Sequence, residues 1–203
     1  LIAVFLILLI LVTQFNAFSS PVIILSSVVL SLAGVFLGIV ISRNDFVIIM
    51  TMIGIISLAG IVVNNAIVLV DYTNLIRKRK RKEFEIEQDV LLPNEEVKKA
   101  VIEGGKTRLR PVLLTAITTI LGLFSLASGL NIDFFSLVRE WDPKIFFGGD
   151  NVIFFKPMSL AIIYGLTFAT FLTLVVVPTM YYTLYRFKLW LFKKMKWTLK
   201  IEF

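Results

Sequence analysis

Residues 48–77, IIMTMIGIISLAGIVVNNAIVLVDYTNLIR, decide the fold of this chain. The stretch is almost wholly apolar as far as Asp71, and it is long enough to cross the roughly 30 Å hydrocarbon layer of a membrane as a helix. The basic run RKRKRK, Arg77 to Lys82, follows directly. We therefore predict a transmembrane span over about 46–72, ended by that basic run.

The rest of the chain repeats this pattern. Hydrophobic residues make up 58% of the 203 residues and the mean hydropathy is +0.89, well above the usual apolar share of a soluble domain. Further spans are predicted over 1–12 (truncated), 22–41, 110–130 and 158–185. The predicted fold class is an all-α membrane protein, a bundle of about five transmembrane helices with three of them in residues 1–75.

The basic residues are concentrated in two segments. Of 21 Lys and Arg, 11 lie between Arg77 and Arg110 and six between Arg186 and Lys200. Basic residues beside apolar spans mark cytoplasmic segments. We therefore predict a cytoplasmic basic loop over 76–110 and a basic cytoplasmic tail over 187–203, with the turn at 42–46 and the loop 131–157 outside. This distribution accounts for the net charge of +7 without nucleic-acid binding.

Local signals predict several finer features. Asn94, with two acids after it, predicts the capped start of a short amphipathic helix that ends at Gly104-Gly105. That helix either lies on the membrane surface or is a solvated linker. Pro111 is predicted to open the fourth span. KIFF-GGDN-VIFF, residues 144–155, predicts a β-hairpin. Further predictions are a small-residue packing face at Gly34 and Gly38, and an interfacial aromatic belt at Tyr181, Tyr182 and Tyr185.

Polar side chains recur along one face of the third span. Ser57, Asn64 and Asp71 follow helical spacing, and Asn65 makes a double amide deep in the span. Polar groups at such depth are costly and require a reason. Asp71 lies near the cytoplasmic end, where a carboxylate reaches water. The amides serve either helix–helix hydrogen bonding or transport.

The fourth span has a similar polar face, with Arg108, Thr115 and Thr118 at helical spacing. Together the two faces predict a polar seam inside the bundle, of the kind that carries ions. Two ordinary explanations stand beside that interpretation. Arg108 is placed to snorkel to the interface, and either threonine can bond its own helix backbone.

The chain contains no Cys and no His. The sequence therefore offers no disulfide framework, no His-based catalysis and no nucleophile–base pair. We predict no enzyme activity, no cofactor and no metal site.

Residues 48–77 and 100–127 (AVIEGGKTRLRPVLLTAITTILGLFSLA) together closely resemble two spans of resistance-nodulation-division (RND) efflux transporters, of the drug-exporting hydrophobe/amphiphile branch. Residues 165–186 resemble the last span of that family. The resemblance implies a bacterial inner-membrane, proton-driven pump of twelve spans that works as a homotrimer with a periplasmic adaptor and an outer-membrane channel. This chain would supply spans eight to twelve, in contact with lipid and the remaining N-terminal part of the transporter.

The resemblance also implies site residues. Well-studied drug pumps place a Lys opposite a proton-binding aspartate pair, and the matching position here is Asn64. The Arg and Thr of the same relay match Arg108 and Thr115. The hypothesis is that these three, with Asn65, line the second-half wall of a proton pathway. Asp71, Ser57 and Thr118 are possible additional members.

Two alternatives remain open from the sequence. The chain begins at Leu1 and lacks the aspartate pair, which fits an accessory or structural membrane subunit without transport of its own. Related members of the superfamily move proteins, lipids or metal ions. The absence of Met clusters along the spans argues against copper or silver export.

Overall fold

The computed structural model describes residues 2–15, 19–84, 92–132, 138, 139, 141 and 145–194. In these residues there are five α-helices and two short strands. In chain order they are α1 (Ile2–Phe15), α2 (Ser19–Ser42), α3 (Ile48–Glu83), α4 (Asn94–Ser128), β1 (Leu130–Ile132), β2 (Ile145–Phe147) and α5 (Asp150–Lys194). Among them, α2 to α5 are long and apolar enough to cross a membrane, and α1 is a shorter apolar helix. The predicted all-α membrane fold of about five helices is confirmed.

Helix α3 continues beyond the predicted span. It runs unbroken to Glu83, so the basic run that was predicted to end the span after about Tyr72 lies inside the helix. Lys80, Arg81 and Lys82 lie in its last turn instead. Cations are favourable there because free carbonyl groups give the end of a helix partial negative charge. Charge can therefore end the apolar span without ending the helix.

Helix α4 joins two predicted elements into one. The prediction that a short helix ends at Gly104-Gly105 is wrong, and Pro111 lies inside α4 rather than opening a separate helix. Gly104 is buried against α3, where an added Cβ would lie 2.8 Å from Thr73 Oγ1. The glycine therefore allows two helices to approach closely, which is a packing role and not a stop signal.

The start of α4 is confirmed at Asn94, but not its predicted cap. Asn94 Oδ1 is buried without a hydrogen-bond partner among the described residues. The backbone N–H groups of Glu96 and Val97 donate instead to the carbonyl oxygen of Pro93, over 3.1 and 3.2 Å. The backbone satisfies these free N–H groups in place of the side chain.

The predicted hairpin forms with a different partner strand. β2 pairs antiparallel with β1, in the register Leu130 to Phe147, and residues 152–155 belong to α5. The prediction that 144–147 pairs with 152–155 is therefore wrong. Gly148 and Gly149 have φ of 99° and 119°, which turns the chain directly into the start of α5.

The chain divides into two compact units. The first unit comprises residues 1–28, 63–112 and 171–203, and the second comprises 29–62 and 113–170. Within the described residues, the core of the first unit draws on all five helices and on Leu92. Its buried members are Leu11, Ile23, Ile24, Ala66, Leu69, Val70, Leu92, Val97, Val101, Val177, Tyr181 and Tyr185. Residues 187–194 of the predicted tail belong to α5, and 195–203 lie outside the described residues.

The second unit is packed through glycines. A Cβ at Gly34 would overlap the side chain of Phe168, and one at Gly38 would overlap Tyr164. The predicted small-residue packing face is confirmed by these contacts between α2 and α5. Beside them, Asn44 Nδ2 donates to Tyr164 Oη over 3.2 Å, in the polar turn that was predicted after α2.

Candidate functional site

Within the first unit, α3 and α4 pack against each other through a joint, by which we mean the helix–helix interface that runs from Gly104 and Thr73 to Lys80 and Glu96. Gly104 provides the close approach to Thr73. At the joint's basic end, Lys80 Nζ donates to Glu96 Oε2 over 2.8 Å, and Lys99 Nζ donates to the other carboxylate oxygen over 2.6 Å. Both lysines hold the pKa of the Glu96 carboxyl below its usual value, Lys80 most strongly. The joint fixes α4 beside the polar residues of α3.

Arg108 rests on an aromatic ring of the neighbouring helix. Its guanidinium carbon lies 4.5 Å from the centre of the Tyr72 ring, a cation–π geometry. Its Nε is buried without a hydrogen-bond partner among the described residues. The Arg108 guanidinium is a permanent cation, and contact with the face of a ring does not use its N–H groups, which can bind a carboxylate.

Asn64 and Asn65 lie in the same unit, in the middle of α3. Asn64 is exposed and Asn65 is half-buried. In the part of the chain that the structure describes, neither amide makes a recorded hydrogen bond, and Arg108 packs on Tyr72 rather than bonding to them. An amide facing hydrocarbon is costly when it is unbonded. The exposed amide of Asn64 thus marks a face of α3 that requires hydrogen-bonding partners in the membrane.

Three further predicted site residues of the spans belong to the second unit. Ser57, Thr115 and Thr118 are all exposed there. The hydroxyl of Thr118 donates to the carbonyl oxygens of Leu114 and Thr115 over 2.9 and 3.1 Å. This local bonding is the ordinary explanation that the sequence allowed for Thr118. Ser57 and Thr115 lie on exposed faces of α3 and α4.

Asp71, on the same predicted polar face as Asn64, lies beside a cavity. It is exposed and lines a cavity of about 330 Å³ at the end of the first unit, which we call the basic cavity. Four cations line the cavity as well: Arg77, Lys78, Arg81 and Lys188. The carboxylate thus lies in a polar surrounding, in agreement with its predicted position near the end of the span.

Two of the three tyrosines predicted to form an aromatic belt are buried instead. Tyr181 and Tyr185 are only 7% and 6% exposed, and Tyr182 is half-buried. Arg77 Nη1 donates to Tyr181 Oη over 2.6 Å, and Tyr185 Oη donates to the Leu92 carbonyl over 2.7 Å. Their spacing of four residues places both rings on one helix face, a signal for packing that an interfacial interpretation overlooked.

Sequence reasoning also missed Tyr72 and Asn74. Tyr72 supports Arg108, and Asn74 Oδ1 accepts a hydrogen bond from Tyr181 Oη. Both lie inside α3, about two to three turns before its end at Glu83, where the sequence was interpreted as the boundary of a span. The available signal was the polar cluster Asp71, Tyr72 and Asn74, which falls within a single helical turn.

Comparison with known proteins decides the family. Residues 1–131 match the model of the AcrB/AcrD/AcrF family. The chain belongs to this family. It is a multi-pass membrane protein of the RND type, in agreement with the four long apolar helices among the described residues.

Relatives of this chain have diverse names. The chain is 36% identical over 92% of its length to the swarming motility protein SwrC of Bacillus subtilis. It is 34% identical over 76% to the nickel-cobalt-cadmium resistance protein NccA of Alcaligenes xylosoxydans, and 26% identical over 91% to the multidrug resistance protein MdtC of Escherichia coli. The chain spans 15%, 11% and 15% of these relatives, respectively.

A solved heavy metal efflux pump has the same fold over most of this chain. The TM-score is 0.65 at 25% identity, and the match covers 90% of this chain and 14% of the pump. Family membership is therefore supported by both sequence and structure. The relatives' names do not single out one class of substrate.

Proposed function

We propose that this chain forms the second-half membrane block of a proton-driven exporter of drugs or other amphiphilic compounds. The observation that carries the proposal is the exposed amide of Asn64 on a membrane-length helix, with the cation of Arg108 held by Tyr72 in the same unit. Such groups are stable in a membrane when polar or ionised partners cover them. The rest of the transporter would supply those partners.

The charges of the site assign the roles. Asn64 can hydrogen-bond a carboxylate but cannot neutralise it, whereas Arg108 carries a permanent charge. A carboxylate that faces Arg108 is held ionised, and it is easier to protonate once that contact is broken. Arg108 would therefore control when a proton binds, with Asn64, Asn65 and Thr115 as hydrogen-bonding groups of the pathway wall.

Family membership supports the wider assembly that we propose. The exporter would lie in the bacterial inner membrane as a homotrimer, joined to a periplasmic adaptor and an outer-membrane channel. The remaining N-terminal part of the same transporter would cover the exposed faces of α3 and α4. Only 17% of the most apolar stretch of α4 is buried within this chain, against 44% for α5, which leaves a large face to be covered.

Metal-ion export is the second candidate. It is favoured by the similarity to NccA and to the heavy metal efflux pump. Both candidates would use the same membrane block. The substrate, rather than the proton pathway, separates them.

The test uses the full-length transporter in liposomes with an imposed proton gradient. Export of a cationic drug dye and of nickel, cobalt or cadmium is measured beside proton flux with a pH-sensitive dye. We expect Arg108→Ala to abolish both export and coupled proton flux, and Thr115→Ala to reduce both at least tenfold. Arg79→Ala, which removes an exposed cation from the same unit, is the control and should remain active.

Each outcome has a definite meaning. Unchanged export and proton flux in both Arg108→Ala and Thr115→Ala would refute the proton pathway. Normal export of metal ions together with no export of the dye would replace the first candidate with the second. Transport of neither class by the wild-type protein would favour an accessory role.

A further inference from the structure

Among the described residues, the lining of the basic cavity has more cations than anions, and the proposed proton pathway makes no use of it. Arg77, Lys78, Arg81 and Lys188 line it, and Asp71 is its one carboxylate among the described residues. The nearby carboxylate of Glu96 is already bonded to Lys80 and Lys99. Like charges within one cavity repel each other, so an anion that enters is bound favourably.

The guanidinium of Arg77 is fixed in the wall of this cavity. Its carbon lies 5.0 Å from the centre of the Tyr185 ring and 5.7 Å from that of Tyr181. One hydrogen bond from it, to Tyr181 Oη, is recorded in the described part of the chain. Tyr181 is held in turn by Asn74. A cation that is positioned before binding loses little freedom when it meets a ligand.

The first residues of α2 contribute to the same cavity. Ser19 and Ser20 line it, and α2 begins at Ser19. The first N–H groups of a helix have no partner within the helix, and they carry the positive end of its dipole. Side chains and backbone therefore favour the same kind of ligand, a compact anion with several acceptor oxygens.

We infer that the basic cavity binds the phosphate group of a phospholipid headgroup. The cavity lies where two membrane-length helices, α3 and α5, carry their terminal basic residues, and so at the level of the headgroups. Basic pockets between transmembrane helices bind anionic headgroups. Inorganic phosphate offers the same oxygens, and the experiment below separates the two sources.

The test compares two double variants of the full-length protein. Lys78→Gln with Lys188→Gln removes two cations from the cavity lining and leaves the Arg77–Tyr181 contact intact. Arg79→Gln with Lys82→Gln removes two cations from the same part of α3, but neither residue lines the cavity. Binding of phosphatidylglycerol and of phosphatidylcholine to the purified protein is titrated by native mass spectrometry.

We expect the wild-type protein to bind phosphatidylglycerol in preference to phosphatidylcholine. The cavity variant should lose roughly 30-fold in affinity for phosphatidylglycerol, on the basis of about 1 kcal/mol for each basic residue near the surface. The control variant should retain that affinity within a few-fold. Equal losses in the two variants would show a general surface-charge effect and overturn the site.

A second arm distinguishes the source of the phosphate. Thermal unfolding of the wild-type protein is followed in phosphatidylcholine nanodiscs, with added phosphatidylglycerol or with added inorganic phosphate at matched ionic strength. Stabilisation by phosphatidylglycerol that the cavity variant loses supports the inference. Stabilisation by inorganic phosphate alone would assign the cavity to a soluble ion and overturn the lipid assignment.

Discussion

At the scale of single residues, the position of the Arg108 guanidinium is set by its contact with the Tyr72 ring. Without a neighbouring contact, a guanidinium on a helix at the edge of a membrane can hydrogen-bond either to water or to a carboxylate. The Tyr72 ring, 4.5 Å from the guanidinium carbon, restricts the position of the cation while its N–H groups stay available. Tyr72 therefore belongs to the proposed pathway as a positioning residue, although the sequence alone did not mark it.

The role of Tyr72 can be tested by separating its ring from its hydroxyl. Tyr72→Phe keeps the aromatic face and should export at the wild-type rate. Tyr72→Leu removes a cation–π contact worth about 0.5–2 kcal/mol, and should slow export about two- to thirtyfold. Export rates in liposomes, normalised to the folded protein recovered, provide the measurement. Loss of activity in Tyr72→Phe equal to that in Tyr72→Leu would assign the effect to the hydroxyl instead.

At the scale of helices, glycines decide how closely α2 and α5 pack in the second unit. Replacing Gly34 with Ala places a methyl group against Phe168, and overpacking of this kind costs about 1–3 kcal/mol. Gly60→Ala is the matched control, because its added Cβ would meet no atom of another helix within 4 Å among the described residues. We expect Gly34→Ala to lower the thermal midpoint in detergent and Gly60→Ala to leave it unchanged or raise it. A lower midpoint in both would contradict the packing argument.

Helices also show how far the sequence predicts this fold. Long apolar runs predicted α2 within three residues at each end, because hydrophobic length alone decides a span. The continuation of α4 through Gly104 could not be predicted, since Gly104 serves a contact with Thr73 that exists only after folding. The strand partner of β2 was likewise decided by the turn at Gly148 and Gly149. Local sequence patterns predicted which helices and strands form, whereas tertiary contacts determine where they end and which strands pair.

The candidate site followed the same division. Arg108 was marked by its residue type and Asn64 by its depth, so the sequence could name both. Their partners could not be named, because a cation–π contact joins residues 36 positions apart on two helices. The basic run was visible as charge. Its organisation around buried Tyr181 and Tyr185 required the packing of α3 against α5.

At the scale of the whole molecule, the orientation of the spans follows from the distribution of basic residues. Eleven Lys and Arg fall between Arg77 and Arg110, whereas Arg43 is the single basic residue between Ser19 and Ile76. Basic segments remain in the cytoplasm during insertion. Asp45, before α3, and Lys98, near the start of α4, should therefore lie on opposite sides of the membrane.

The lack of cysteine in this chain makes that orientation directly measurable. Asp45→Cys and Lys98→Cys each place one thiol at an exposed position, in a full-length protein made cysteine-free elsewhere. A membrane-impermeant maleimide added to intact spheroplasts should label Asp45→Cys and spare Lys98→Cys, and lysis should expose both. Labelling of Lys98→Cys in intact cells would reverse the assigned orientation. It would also place the basic cavity at the outer leaflet, because Arg77 and Lys78 lie at the same end of α3 as Lys80, which bonds to Glu96 of α4.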